Sequence, residues 1–268
     1  MLKDITLGQF FPGTSVVHRL DPRTKLILLV AYIVALFTAK SWISYGVCLA
    51  FLAVCIHISK IPLKSIVRGM KPLVMILVFT GVLNLFFAGG ERVIVKLWFL
   101  TLTVEGVVRA VLMVSRILML ISATFLLTYT TSPISLTDGL ETLMNPLKVI
   151  RVPVHELSMM MCIALRFIPT LIEETDKIMS AQKARGTDFE TGKLMDRVKA
   201  LVPILVPLFI SAFRRADELA TAMECRCYHG GEGRTKMKLL RYKRWDLQAY
   251  AVGIVLLVGI FVLGHFGL

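Results

Sequence analysis

The 268-residue chain has too little paired cysteine to be a disulfide scaffold: its five cysteines are scattered, and Cys48, Cys55 and Cys162 lie inside apolar stretches, where a thiol behaves as a small hydrophobe. It is also short of acid, with 18 Asp and Glu against 31 Lys and Arg, a net charge of +13. That excess does not point to nucleic acid, because the basic residues stand in blocks between apolar runs, as on the cytoplasmic flanks of membrane spans. No nucleophile-and-base arrangement and no polar catalytic cluster is visible, which argues against an enzyme. The first 25 residues, MLKDITLGQFFPGTSVVHRLDPRTK, lack the charged-then-apolar layout of a cleaved signal, so the first span is expected to be retained.

What is abundant is hydrocarbon. The hydrophobic fraction is 56% and the mean hydropathy +0.73, whereas soluble domains run at roughly 45–50% apolar even with glycine included. A bilayer core of about 30 Å needs about 20 apolar residues in helical form. Five runs qualify: Leu26–Ala39, Trp42–Ile58, Pro72–Ala88, Val107–Tyr129 and Leu247–Leu268. The expected division is a membrane region over 1–131, an inner-interface or cytoplasmic region over 132–245 and a last span over 246–268. Arg19, Arg23 and Lys25 precede the first span, and Lys60, Lys64, Arg68 and Lys71 separate the second from the third, which places both segments in the cytoplasm. Alternation then puts Lys40 and the Gly89–Glu105 loop outside and leaves the C-terminus outside. Within that loop the partial alternation of RVIVKLWFLTLTVEG predicts a short extended or hairpin segment. Arg116 lies well inside the fourth run, where it either snorkels, pairs structurally or serves function.

Between Ser132 and Trp245 charge is dense, yet apolar residues persist at helical spacing. Leu157, Met161, Leu165, Ile168, Ile172 and Met179 mark an amphipathic helix from Val154 to Arg185, with Pro169 expected to kink it. A second long helix reads from about Lys193 to Cys227. Its opening, VKALVPILVPLFISAF, is short for a span and carries Pro203 and Pro207, so it is read as lying in or just under the inner leaflet. Counting these two runs as further spans would give about seven and still leave the C-terminus outside. The fold class is therefore all-α integral membrane, with about five transmembrane helices plus long amphipathic cytoplasmic helices.

The stretch AQKARGTDFETGKL, Ala181 to Leu194, superficially resembles a phosphate-binding loop. Five residues separate Gly186 from Gly192 where four are needed, and Leu194 replaces the magnesium-binding hydroxyl. GGEGRTK, Gly230 to Lys236, also lacks the spacing. The first stretch reads instead as a helix end, with Gly186 suited to a left-handed closing position and Lys183 and Arg185 complementing the helix dipole. The second long helix ends alike. Ala184-Arg185-Gly186 is matched by Cys225-Arg226-Cys227, and an arginine between small neighbours can reach into an acidic pocket with its forked guanidinium.

These paired triplets, set in LRFIPTLIEETDKIMSAQKARG and RRADELATAMECRCYHGGEGRT, together with the early HRLDPRTKL and the segment TTSPISLTDGLETLMNPL, resemble the transmembrane T-component of energy-coupling factor transporters. The resemblance covers most of the chain, and the second triplet has Cys225 where an alanine or serine is common, a small-for-small change. It implies a scaffold in the cell membrane that joins two cytoplasmic ABC-type ATPases, as a homo- or heterodimer, to a substrate-binding membrane S-component that captures a vitamin or metal ion. Arg185 and Arg226 would each enter a groove of one ATPase, ATP and magnesium would be bound by those partners and by no site on this chain, and Pro169, Pro203 and Pro207 would set fixed bends or pivots.

Other signals are weaker. Cys225, Cys227 and His229 form C-x-C-x-H, which lacks the fourth ligand of a structural zinc site. His18, His57, His155 and His265 have no ligand spacing and default to surface or interface roles. Glu173, Glu174 and Asp176, with Lys177, read as the solvated side of their helix, and Met159–Met161 as adaptable packing surface. The rival classes are a conventional ABC permease, whose EAA-type loop Glu218-Leu219-Ala220 begins and fails to complete, and a secondary carrier, whose inverted repeats are not found. The cargo is not written in this chain.

Overall fold

A computed structural model describes residues 10–39, 41–87, 93–97, 100–187, 189, 194–231 and 239–265. Lys40, the Gly89 end of the outer loop, Gly192, Lys193 and most of GGEGRTK lie outside them. The order is α1 (Val16–Arg19), α2 (Pro22–Thr38), α3 (Trp42–Ser59), α4 (Leu63–Met70), α5 (Val74–Phe87), β1 (Val93–Leu97), β2 (Leu100–Thr103), α6 (Val104–Thr130), α7 (Pro133–Met144), α8 (Val154–Ala184), α9 (Leu194–Glu224) and α10 (Arg244–His265). The architecture is all-α apart from one hairpin. In that hairpin β1 and β2 pair antiparallel with Lys96 opposite Thr101 and a register shift between Val93 and Val95, as the alternation predicts.

Among the described residues five helices are, by length and composition, long and apolar enough to cross a membrane: α3, the continuous Leu63–Leu85 run, α6, α8 and α10. The number matches expectation while the membership differs. At 17 residues, about 26 Å, α2 stands at the short end of the spanning range, with Arg23 and Lys25 in its first turn. The apolar half of α8, in contrast, is long enough to count. Contacts divide the chain into two units, Gly8–Gly139 with Leu240–Leu268, and one centred on Leu140–Leu239.

In the first unit, α2, α3, α6 and α10 enclose a core of Tyr32, Ala35, Leu36, Tyr45, Cys48, Leu52, Met119, Ala123 and Ile260. Small residues at Ala35, Cys48 and Ala123 let the helices approach, which matters where lipid is as apolar as leucine and fit must supply the attraction. Hydroxyls inside α6 are satisfied locally, Ser122 by the Leu118 carbonyl and Thr130 by that of Leu126. Arg116 donates from Nη2 to the Ala39 carbonyl at 3.4 Å and lies 5.5 Å from the Phe37 and Tyr45 ring centres. It thereby reaches from α6 to the end of α2.

HRLDPRTKL forms a buried polar knot. Asp21 caps α2, accepting from the Arg23 backbone N–H at 2.9 Å, with Pro22 at the first helical position. Its carboxylate also takes a two-pronged bond from the Arg23 guanidinium, at 3.0 and 2.9 Å. That guanidinium stacks 4.2 Å over the Tyr242 ring. The Asp21 backbone N–H donates to Asp246 Oδ1 at 2.8 Å, while Asp246 Oδ2 accepts from the Lys243 N–H at 2.7 Å, so one carboxylate caps α10 and ties it to α2. Lys25 Nζ donates to the Thr130 carbonyl at 2.8 Å and to Thr131 Oγ1 at 3.1 Å. Arg23 and Lys25 are 8% and 7% exposed and fully engaged; Arg19 remains exposed.

Candidate functional site

The second unit contains both arginine triplets, and α8 and α9 deliver them. Each helix runs 31 residues, about 46 Å, close to the expected Val154–Arg185 and Lys193–Cys227. Both continue through their prolines. Pro169, Pro203 and Pro207 each delete one rung of the hydrogen-bond ladder, leaving the carbonyls of Leu165, Lys199 and Pro203 without the usual donor four residues on.

The two helix ends close by the same device. At the end of α8 the Thr187 N–H donates to the Gln182 carbonyl at 3.1 Å and the Gly186 N–H to that of Lys183 at 3.0 Å. At the end of α9 the Tyr228 N–H donates to the Met223 carbonyl at 3.0 Å and the Cys227 N–H to that of Glu224 at 2.9 Å. These are the six-to-one and five-to-two bonds of a Schellman cap, whose closing residue must take positive φ. Gly186 has φ +89° and Cys227 has φ +55°. Arg185 and Arg226 therefore occupy equivalent positions, each immediately before the left-handed residue. Ala184, Arg185, Gly186, Cys225, Arg226 and Cys227 are all exposed. The requirement for small neighbours has a backbone cause at the third position, since a bulky or branched residue resists positive φ. Cysteine at 227 meets it at a cost that glycine at 186 avoids.

Between α8 and α9 stands a brace that the sequence reading missed. Glu174 on α8, assigned to the solvated side, accepts from Arg215 Nη2 on α9 at 2.8 Å and from the Ser211 hydroxyl. Ser211 and Arg215 are four residues apart, so both reach one carboxylate from a single helix face. A pairing across 37 and 41 positions leaves no local periodicity to find. Elsewhere on α9 a continuous apolar face is uncovered within the unit: Val202, Leu205, Val206, Phe209, Ile210 and Phe213 are 52% to 65% exposed. Among the described residues no three His, Cys, Asp or Glu side chains gather as metal ligands would, Cys225, Cys227 and His229 included.

The family model described as CbiQ, cobalt transport protein, matches residues 13–237. The chain is 49% identical over 265 residues to the energy-coupling factor transporter transmembrane protein of Ruminiclostridium cellulolyticum, covering 99% of each. Against the protein of that name from Thermosediminibacter oceani it is 54% identical over 258 residues, 96% of this chain and 97% of the relative. Against that from Bacillus subtilis it is 46% identical over 263 residues, 98% and 99%.

Proposed function

From this chain's place in the CbiQ cobalt transport protein family, to which it belongs, we propose that it is the transmembrane scaffold of an energy-coupling factor transporter in the cell membrane. It passes the closing motion of two ABC-type ATPase subunits to a substrate-binding S-component. ATP and magnesium reside on the ATPases, this chain carries out no chemistry, the N-terminus lies in the cytoplasm and the C-terminus outside.

The observation that carries the proposal is the repetition of one cap at the ends of two long helices, each presenting an exposed arginine. A guanidinium seated in an acidic groove forms paired charge-assisted bonds that a single ammonium cannot reproduce. The capped ends leave few unpaired carbonyls, so each tip is a stiff terminus and not a frayed one. The Glu174 brace supports joint movement of the two levers, and the bare face from Val202 to Phe213 offers the apolar surface by which a membrane partner would be gripped. The missing rungs at Pro169, Pro203 and Pro207 supply fixed bends or pivots.

The test is affinity capture of the tagged chain from its own membranes. Wild type should retain two ATPase subunits per chain, and Arg185→Ala and Arg226→Ala should each weaken retention or uncouple hydrolysis from uptake. One broken buried charge pair costs about 3–5 kcal/mol, a loss of more than about 100-fold in affinity. Arg→Lys at either position should still impair. Wild-type retention and uptake by the double alanine variant would remove the mechanism.

A further inference from the structure

The segment that follows the second triplet does not trail away from it. Gly231 packs on the imidazole of His155, in the first turn of α8, so closely that a Cβ there would lie 2.4 Å from Cδ2 and 2.9 Å from Cγ of the ring. The offending atoms are near the root of the side chain, not at a flexible end, and the ring is held. His155 Nδ1 is 3.2 Å from Glu141 Oε1, and since a carboxylate only accepts, the ring nitrogen donates. The other oxygen, Oε2, accepts from Ser158 Oγ at 3.0 Å, and Ser158 is 3% exposed. A swing of the imidazole would break its bond to Glu141 inside a packed turn that also contains the buried Val154.

We propose that His155, oriented by Glu141, is a positioning residue for the Arg226 tip, the seat onto which Gly231 fastens the chain leaving α9. Gly231 lies five positions beyond Arg226, at most about 17 Å of extended chain. The positive φ of Cys227 and Gly230 turns the path and shortens that reach. Arg226 is thus held on one side by the α9 cap and on the other by the start of α8. Because the far end of α8 carries Arg185, one helix supports both tips: Arg185 directly and Arg226 through the seat. This rests on the reading of Arg226 as a coupling tip, and it adds that the tips are mechanically linked through α8.

The experiment uses the full-length solubilised chain for one readout and the captured complex for the other. Amide hydrogen exchange at Cys227 and Tyr228, whose N–H groups close the cap, reports the seat without any partner. Gly231→Ala should speed exchange there about tenfold, the equivalent of ~1.4 kcal/mol. His155→Ala should speed it too, and the Gly231→Ala/His155→Ala pair should exchange more slowly than Gly231→Ala alone, because the new methyl occupies the space that the ring vacates. Glu141→Gln, a gentler change that keeps the shape, should act in the same direction by a smaller factor. In the complex, Gly231→Ala should lower ATPase retention and the pair should recover part of it. Unchanged exchange in both single variants, or a pair no better than Gly231→Ala, overturns the seat. Faster exchange with undiminished retention, while Arg226→Ala abolishes retention, overturns its positioning role. Full retention by Arg226→Ala instead places the failure in the coupling reading, and the exchange data then still decide the seat.

Discussion

Glu174→Ala tests whether α8 and α9 act as one body. The variant removes two acceptors at once, for the Arg215 guanidinium at 2.8 Å and for the Ser211 hydroxyl. A fully exposed ion pair contributes about 0.2–1 kcal/mol, and breaking a fully buried one costs about 3–5 kcal/mol. Here the Arg215 and Glu174 side chains are 34% and 23% exposed, so solvent screens the pair well below the buried limit. One charge-assisted bond and one from a hydroxyl, both partly wet, give about 1–2 kcal/mol for the whole truncation. In a body of this size that corresponds to a melting temperature lower by about 3–6 °C. The assay is a double-mutant cycle with Arg215→Ala in detergent, with each single and the pair melted under identical conditions. Coupling of about 1 kcal/mol is expected, because Arg215→Ala in the absence of Glu174 has little left to lose. If the two losses simply add, within about 0.3–0.5 kcal/mol, the brace carries no energy and the joint motion of the levers loses its support.

Acid should expose the polar knot. Burial by itself would raise the Asp21 carboxyl, but the hydrogen bonds from Arg23 and the positive charges of Arg23 and Lys243 outweigh it and hold the group below the ordinary carboxylate value. A carboxyl lowered in the folded state stabilises fully above its unfolded value of about 3.9 and loses that contribution as pH falls through the folded value. The melting-temperature gap between wild type and Asp21→Asn should therefore stay constant from pH 7 to 5 and narrow below about pH 4; a gap that widens in acid contradicts the assignment. At the caps, Gly186→Ala should destabilise by about 1–2 kcal/mol from backbone alone, because nothing stands within 4 Å of the added Cβ. Cys227→Gly should be neutral or stabilising by up to about 1 kcal/mol, since relief of strain is offset by a looser unfolded chain; amide exchange at Thr187 and Tyr228 reads both signs, and equal signs would break the equivalence of the two caps. Arg116→Met should leave uptake intact and change stability by less than about 1 kcal/mol, because the lost bond to Ala39 is long at 3.4 Å and a membrane charge is removed with it; loss of uptake would show a role beyond the α2–α3 turn.

What periodicity and turn chemistry encode was legible. The start of α8 at Val154, its end one residue short of Arg185, the near-coincident limits of α9 and the β1–β2 hairpin all follow from patterns of three or four, of two, and from a basic turn before glycine. The Asp-Pro pair at the head of α2 is likewise a local signal, a side-chain cap followed by a residue with no N–H to waste. Pairings across sequence were not legible. Arg23 and Lys25 look like flanking charges because their partners, Asp21 excepted, are supplied by Thr130, Thr131 and Tyr242. Glu174 looks solvated because Arg215 lies 41 positions away, and His155 looks incidental because Glu141 and Gly231 flank it from two other segments. In each case the sequence specifies a polar residue, and only the fold specifies what it meets.

The sameness of the two caps bears on why arginine sits where it does. A side chain before the cap belongs to the regular helix and is spread over its cylinder, while one beyond the cap rides on a chain that has left the axis. The residue immediately before the left-handed position is the last one whose backbone remains fixed by helical bonds, here from the Arg185 N–H to the Ala181 carbonyl at 3.2 Å and from the Arg226 N–H to that of Met223 at 3.1 Å. A guanidinium placed there projects at the end of the lever with its root held, so docking orders only the side chain, at about 0.5–1.5 kcal/mol, and not the backbone as well. On the proposed function, ATPase movement acting on such a root would displace the helix as one piece as far as the next compliant point, the missing rung at Pro169 in α8 or Pro207 in α9. Moving either arginine one residue toward its helix, with the cap left intact, should preserve charge and fold yet lose coupling. That outcome would distinguish a mechanical tip from a basic patch, for which one residue either way would make no difference.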